Sequence, residues 1–99
     1  MASVAWTLRA LDELDAFCRR ISEDDVLRAN LFAREVFAVT DRLTDFPKSG
    51  RVVREYRREE IREVVVAPCR IIYRYENDLV EILAVWHGAR LLDTFDPDR

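Results

Sequence analysis

IREVVVAPCRIIYRYENDLVEILAVWH, residues 61–87, is the stretch whose reading decides the fold. Ile61 to Ala67 holds Val64, Val65 and Val66 in a row and stops at Pro68. Arg70 to Tyr75 alternates Ile71, Tyr73 and Tyr75 against Arg70, Ile72 and Arg74. Leu79 to His87 sets Leu79, Leu83 and Val85 against Val80, Ile82, Ala84 and Trp86. A period of two in β-branched and aromatic residues marks strands, because successive side chains leave a pleated backbone on opposite faces. The separators are short. Ala67-Pro68 and Glu76-Asn77-Asp78 leave room only for tight turns, and Asn and Asp tolerate the positive φ that such turns demand. Three strands this close in sequence pair most simply as an antiparallel meander.

Upstream, the pattern changes. Val4, Trp6 and Leu8 alternate with Ala5 and Thr7, which predicts a short first strand. From there Leu8, Leu11, Leu14, Cys18 and Ile21 recur at helical spacing, with Arg9, Asp12, Asp15 and Arg19 off the stripe. Ser22 followed by Asp25 reads as an N-cap with an acidic residue three positions on, ending one helix and starting another. Ala29, Phe32, Ala33, Val36, Val39, Thr40, Leu43 and Phe46 then predict a long second helix, stopped by Pro47 and Gly50. Val26, Leu27, Leu31 and Phe37 lie partly off that face. A helix that is apolar on more than one side is either deeply buried or covered by a partner. Residues 48–60 (KSGRVVREYRREE) read as a polar, arginine-rich connection, and Gly88 to Arg99 as a short tail, acidic at its end. The expectation is one α+β domain over residues 1–99, in the order β-α-α-β-β-β. The helical hairpin should cover one sheet face, since neither layer is stable alone.

Composition narrows the function. With 49% hydrophobic and 35% charged residues the chain reads as globular rather than disordered. Sixteen basic and nineteen acidic residues leave a net charge of −3, which argues against a non-specific nucleic-acid binder. The charge is uneven. Residues 1–50 carry seven basic and nine acidic side chains, whereas residues 51–74 carry seven arginines and four glutamates. Every cation but Lys48 is an arginine, which suits bidentate recognition of carboxylate or phosphate. Cys18 and Cys69 show neither disulfide nor metal-knuckle spacing. Met1 runs directly into the alternating segment with no signal-peptide pattern, and no apolar run approaches the ~18–20 residues of a membrane span. A soluble cytoplasmic protein, without cofactor, metal or membrane association, is expected.

Most enzyme signatures are missing. Two glycines, Gly50 and Gly88, cannot build a phosphate-cradling loop, and acid pairs such as Asp12/Asp15 and Glu59/Glu60 fall in charged surface stretches. No serine sits in a nucleophile elbow that His87 could serve. What remains is an arginine set. Arg51, Arg54, Arg57 and Arg58 lie in the connection, Arg62 on the second strand, Arg70 and Arg74 on the third, and Arg90 just beyond the fourth. Any one of them has ready partners among Glu55, Glu59, Glu60, Glu63, Glu76 and Glu81. His87 closes the last strand, where an imidazole is more often structural than catalytic. It is nevertheless able to accept and donate a proton if a phosphate docks among the arginines.

Taken together these segments resemble the ParE/RelE toxin superfamily, and the resemblance covers nearly the whole chain. It is carried by Phe46-Pro47-Lys48-Ser49-Gly50-Arg51 with Val52-Val53-Arg54-Glu55, by Ile61-Arg62-Glu63, by Arg70-Ile71-Ile72-Tyr73-Arg74, and by Ile82 to Arg90 with its Val85-x-His87-Gly88-x-Arg90 ending. The resemblance implies a toxin of a type II toxin–antitoxin system, held inactive in a hetero-oligomer by a cognate antitoxin that wraps over it. Two activities occur in the superfamily. ParE-like members poison DNA gyrase; RelE-like members are endoribonucleases that cut messenger RNA in the ribosomal A site.

The acidic balance, the single Lys48 and the absence of a tyrosine near the end, where Phe95 stands, lean toward the ParE-like side. On that reading the binding residues are Arg51, Arg54, Arg57, Arg58 and Arg90, with Trp6, Leu27 and Leu31 as apolar contacts. On the RelE-like alternative, Arg62, Arg70 and Arg74 would hold the scissile phosphate and its developing charge, and His87 would move the proton. A non-toxic binding module is the third reading.

Overall fold

A computed structural model describes residues 1–99. β1 (Ser3–Trp6) leads into α1 (Leu8–Ser22) and α2 (Val26–Asp41), and α2 tightens into a 3-10 turn at Arg42–Thr44. β2 (Arg51–Val52), β3 (Ile61–Val66), β4 (Cys69–Glu76) and β5 (Leu79–His87) follow, then a second 3-10 turn at Leu92–Thr94. The sheet has the order β1-β5-β4-β3-β2; β1 runs parallel to β5 and the other neighbours are antiparallel. The α+β class, the meander and the helical hairpin are as the sequence predicts. β2 is an addition, since Arg51 and Val52 pair with Glu63 and Arg62 inside the stretch read as a connection. Two residues are too few to display a period. The β4–β5 turn has φ of 54° at Asn77 and 61° at Asp78, the conformation expected of it, and the Ala67–Pro68 peptide is cis.

The helix boundaries shift by a few residues. Thr7 caps α1: its Oγ1 accepts from the Ala10 N–H at 3.1 Å and donates to the Ile82 carbonyl at 3.0 Å, tying the helix start to β5. Ser22 does not cap α2. It closes α1, donating to the Arg19 carbonyl, and Asp25 takes the cap by accepting from the Arg28 N–H at 3.1 Å. A carboxylate there also complements the positive end of the helix. The buried stripe of α1 is Ala10 and Leu14, with Phe17, Cys18 and Ile21 packed beside them, whereas Leu8 and Leu11 are exposed. α2 buries Ala29, Phe32, Val36 and Thr40; Leu43 continues the line in the 3-10 turn, and Phe46 lies outside it.

The sheet has a core on each face. Beneath the helices, Val66, Cys69, Ile71, Tyr73, Val80, Ile82 and Val85 meet Leu14, Phe32, Val36 and Leu43. On the other face Val53, Ile61, Ile72, Leu83, Ala84 and Trp86 are covered by Leu92 and Phe95, with Tyr56 at the margin. The predicted alternation of β5 fails at one point. A bulge shifts the β4–β5 register, so that Tyr73 pairs with Ile82 but Ile72 with Ala84. The extra residue inverts parity, which puts Val85 under the helices with Val80 and Ile82 and leaves Leu83, Ala84 and Trp86 in the second core. No helix is long and apolar enough to cross a membrane.

Candidate functional site

Three of the sequence motifs meet at one joint. The Tyr73 hydroxyl accepts from the Gly50 N–H at 3.0 Å and donates to the Pro47 carbonyl at 2.8 Å. Arg62 donates through Nη1 to the carbonyls of Gly50 (2.8 Å) and Lys48 (3.3 Å), and its Nη2 is bonded to Glu59. A Cβ at residue 50 would stand 2.5 Å from the Tyr73 hydroxyl and 2.6 Å from the Glu63 carbonyl, so only glycine fits there. The Pro47–Gly50 turn, Arg62 and Tyr73 therefore fasten the end of the helical layer to the sheet. Burial pushes the Tyr73 phenol above its ordinary value.

Most of the remaining arginines are engaged as well. Glu63, almost wholly buried, accepts from Arg51 Nε at 2.6 Å and from Arg70 Nε. Arg70 also holds Glu55 in a bidentate pair at 2.9 and 3.0 Å, and that bond draws the Glu55 carboxyl below its usual range. Asp98 accepts from Arg58 at 2.8 and 3.1 Å and from Arg74 at 2.8 Å, which brings its carboxyl down to about 2. Arg58 is bonded to Glu60 in addition. Arg90 lies over the Trp86 ring, 4.1 Å from its centroid. Arg54 and Arg57 have no carboxylate within ion-pair distance. Arg57 stands in a turn at φ 53°, and Arg54 lines an open cleft of about 380 Å³ with Arg51, Glu55, Glu63 and Arg70.

The four residues of the nuclease alternative do not converge. Arg62 pairs in register with Tyr73 on the helix-facing side of the sheet, where it serves the Pro47–Gly50 joint. Arg70 and Arg74 share the opposite side with Ile72. His87 pairs in register with Cys69, back on the helix side, and stacks on Phe17 of α1 at 6.1 Å and 20°. Its Nδ1 accepts from the Ala89 N–H at 3.1 Å.

The apolar contacts fare differently. Leu27 and Leu31 are exposed, at 68% and 54%, as are Val26 and Phe37. Leu27, Leu31 and Phe37, with Ala33 and Ala38, line a shallow groove of about 710 Å³ along the outer side of α2, edged by Asn30, Arg34 and Asp41. Trp6, at the end of β1, extends this strip; its ring lies 5.3 Å from that of Phe37. Leu27, Leu31 and Phe37 stay open to solvent, while Trp6 is half-buried against the core, and an apolar strip of this kind on a small domain is a candidate interaction surface. Phe37 lies in the same strip, in keeping with its place in the off-face apolar set of the second helix. Glu63 was among the carboxylates expected to pair with the arginines; Asp98, which holds Arg58 and Arg74, was not.

Comparison with known proteins agrees with this architecture. Residues 4–92 match the family model for the ParE toxin of the type II toxin–antitoxin system parDE. "Toxin RelE2" of Caulobacter vibrioides is 37% identical over 92 residues, which cover 92% of this chain and all of the relative. Among solved structures, one titled "Chromosomal ParDE TA system from P. aeruginosa" shares the fold at a TM-score of 0.72 and 19% identity, covering 88% of this chain and 96% of that one. By the match over almost its whole length, the chain belongs to the ParE toxin family of type II toxin–antitoxin systems.

Proposed function

We propose that this toxin acts by binding rather than by cutting RNA: it inhibits DNA gyrase, and a cognate antitoxin silences it by laying an amphipathic segment along α2 and Trp6. The observation that carries the reading is the separation of the nuclease candidates. A phosphodiester cleavage centre needs its cations and its proton carrier within reach of one phosphate, yet Arg62 and His87 stand on one side of the sheet and Arg70 and Arg74 on the other. Arg70 and Arg74 are moreover bonded to Glu55, Glu63 and Asp98. The open strip of Leu27, Leu31 and Phe37 supports the antitoxin contact. Arg54 and Arg57, exposed and without a carboxylate partner, are the cations most available to a target, ahead of Arg51, Arg58 and Arg90.

The test is induction of the chain in cells without antitoxin. Growth arrest with gyrase-dependent DNA breaks and intact messenger RNA is expected, and the His87→Ala and Arg74→Ala variants should arrest growth as strongly. Codon-specific cleavage by primer extension, lost in both variants while they still fold and bind antitoxin, would replace this reading with the ribosome-dependent endoribonuclease that the name of the Caulobacter relative suggests.

A further inference from the structure

Residues 91–98 cross the sheet on the side away from the helices, and they are held in an unusual way. Leu92 and Phe95 are buried there, with the Phe95 ring 5.4 Å from Trp86. The Tyr56 hydroxyl donates to the Phe95 carbonyl at 2.8 Å, and Arg74 donates to the Pro97 carbonyl at 2.7 Å. Beyond these, Asp98 is clasped by Arg58 and Arg74. The main-chain bonds of the stretch are all local: Arg90 to His87, Phe95 to Leu92 and Arg99 to Asp96. Nothing but side chains therefore ties the segment to the sheet, and such a segment opens at a lower free energy than the strands beneath it. Opening uncovers Trp86, Ile72 and Ala84, which are otherwise almost wholly buried, and leaves the Arg58 and Arg74 guanidinium groups beside them without Asp98.

We infer that this face is a second docking surface, for an acidic peptide segment of a partner, and that residues 91–98 occupy it as an intramolecular stand-in. The stand-in defines the ligand. Leu92, Phe95 and Asp98 fall three apart and supply an aliphatic anchor, an aromatic anchor and a carboxylate in that order. Each meets its complement: the apolar sheet, the Trp86–Tyr56 pair, and the Arg58–Arg74 pair. Arg9, 4.6 Å from the centroid of the Phe95 ring, adds a cation above the aromatic position. The surface lies across the sheet from the α2 groove, so both can be filled at once. The inference goes beyond the toxin reading and holds whichever target the toxin attacks.

The experiment uses the full chain, its Asp98→Asn and Arg58→Gln variants, and a labelled peptide of residues 91–99, LLDTFDPDR, followed by fluorescence anisotropy and hydrogen exchange. Asp98→Asn loosens the segment while leaving the docking face intact. Exchange of the amides of residues 92–96 and 98 should rise about fivefold, the scale of a partly exposed ion pair, with the β3–β5 amides unchanged. The peptide should bind this variant saturably and about fivefold tighter than the unchanged chain. Arg58→Gln should loosen the segment as well yet gain less affinity than Asp98→Asn, because the peptide's carboxylate then keeps only Arg74 as a partner. Equal peptide binding by the Asp98→Asn variant and the unchanged chain, binding indifferent to replacing the peptide's own Asp98 by Asn, or unaltered exchange would each overturn the inference. A dimer of Asp98→Asn that excess peptide fails to dissociate would overturn it too, in favour of a second copy of the chain as occupant.

Discussion

The outer side of α2 and the arginine-bearing side of the sheet both face outward, but they differ in what the chain already supplies to them. On the sheet, Glu55, Glu63 and Asp98 meet Arg51, Arg70, Arg58 and Arg74, so that a region rich in charge is largely neutralised from within. Over α2 nothing comes back to cover Val26, Leu27, Leu31 and Phe37. A count of like charges along a sequence thus says little about which of them a partner will feel, because each glutamate nearby in the fold removes one. Apolar residues out of register with a helix's buried stripe are a better guide. Once one side of the helix is used for the core, a second apolar side has no place left in so small a chain.

The strongest challenge to this contrast is Glu63→Ala. It removes a buried carboxylate from between two guanidinium groups and leaves Arg70, only 14% exposed, with a single partner. Urea unfolding should show a loss of about 3 kcal/mol; under about 1 kcal/mol would mean that the arginine side is not held together from inside. Leu31→Asp probes the other region. Antitoxin affinity should fall about thirtyfold, the loss typical of a central contact, while stability moves by less than about 0.5 kcal/mol. Undiminished affinity in a titration would shift the docking surface off α2.

Tyr73→Phe sharpens the distinction between joint and interface. It strands the Gly50 N–H and the Pro47 carbonyl, and should lower stability by about 1–2 kcal/mol without changing antitoxin affinity. A variant that binds more weakly would make the joint part of the interface. The smallest effect is expected at Glu13, which reaches from α1 to the Val85 N–H at 3.0 Å. Burial, above all, raises its carboxyl from 4.5, outweighing the Val85 bond and the nearby Arg9. A raised value favours the protonated form in the folded state, so ionisation at neutral pH works against folding and the effect vanishes as pH falls below 4.5. Glu13→Gln should therefore raise the urea midpoint at pH 7, by less than about 1 kcal/mol of stability, and leave it unchanged near pH 4. An unaltered or lower midpoint at pH 7 would show that the ionised carboxylate is needed at the strand edge.

Much of this was legible beforehand, for identifiable reasons. The period-two runs from Ile61 to His87 and the helical stripes name the layers directly, since burial imposes its spacing on every buried side. The Ser22 cap was misjudged because Asp25, three residues on, is an equally good acceptor and the helix takes the later one. Leu8 and Leu11 fit a helical spacing but point outward, and spacing alone does not say which apolar line finds a layer to press on. The off-register set on α2 was readable from Val26 to Phe37. That the arginines would find glutamates close by was readable too, but which pairs form, and the part played by Asp98, were not. Glu63 lies seven residues from Arg70, and Asp98 lies 24 from Arg74 and 40 from Arg58, so those contacts depend on tertiary geometry that no local pattern carries.

The bulge in β5 has a consequence for how relatives of this chain are to be aligned. With Leu83 as the additional residue, the strand changes parity midway: its first half reaches the helical layer through the even-numbered Val80 and Ile82, and its second half reaches the same layer through the odd-numbered Val85. A homologue one residue shorter here would pair as a regular strand and keep its tryptophan in the second core, whereas one of equal length without the bulge would carry it into the helical layer. A single-residue gap among relatives should accordingly be tolerated between Ile82 and Ala84, where the bulge absorbs it, as well as at the hairpin tips. The indole of Trp86 would then serve as the fixed landmark from which the rest of the strand is numbered.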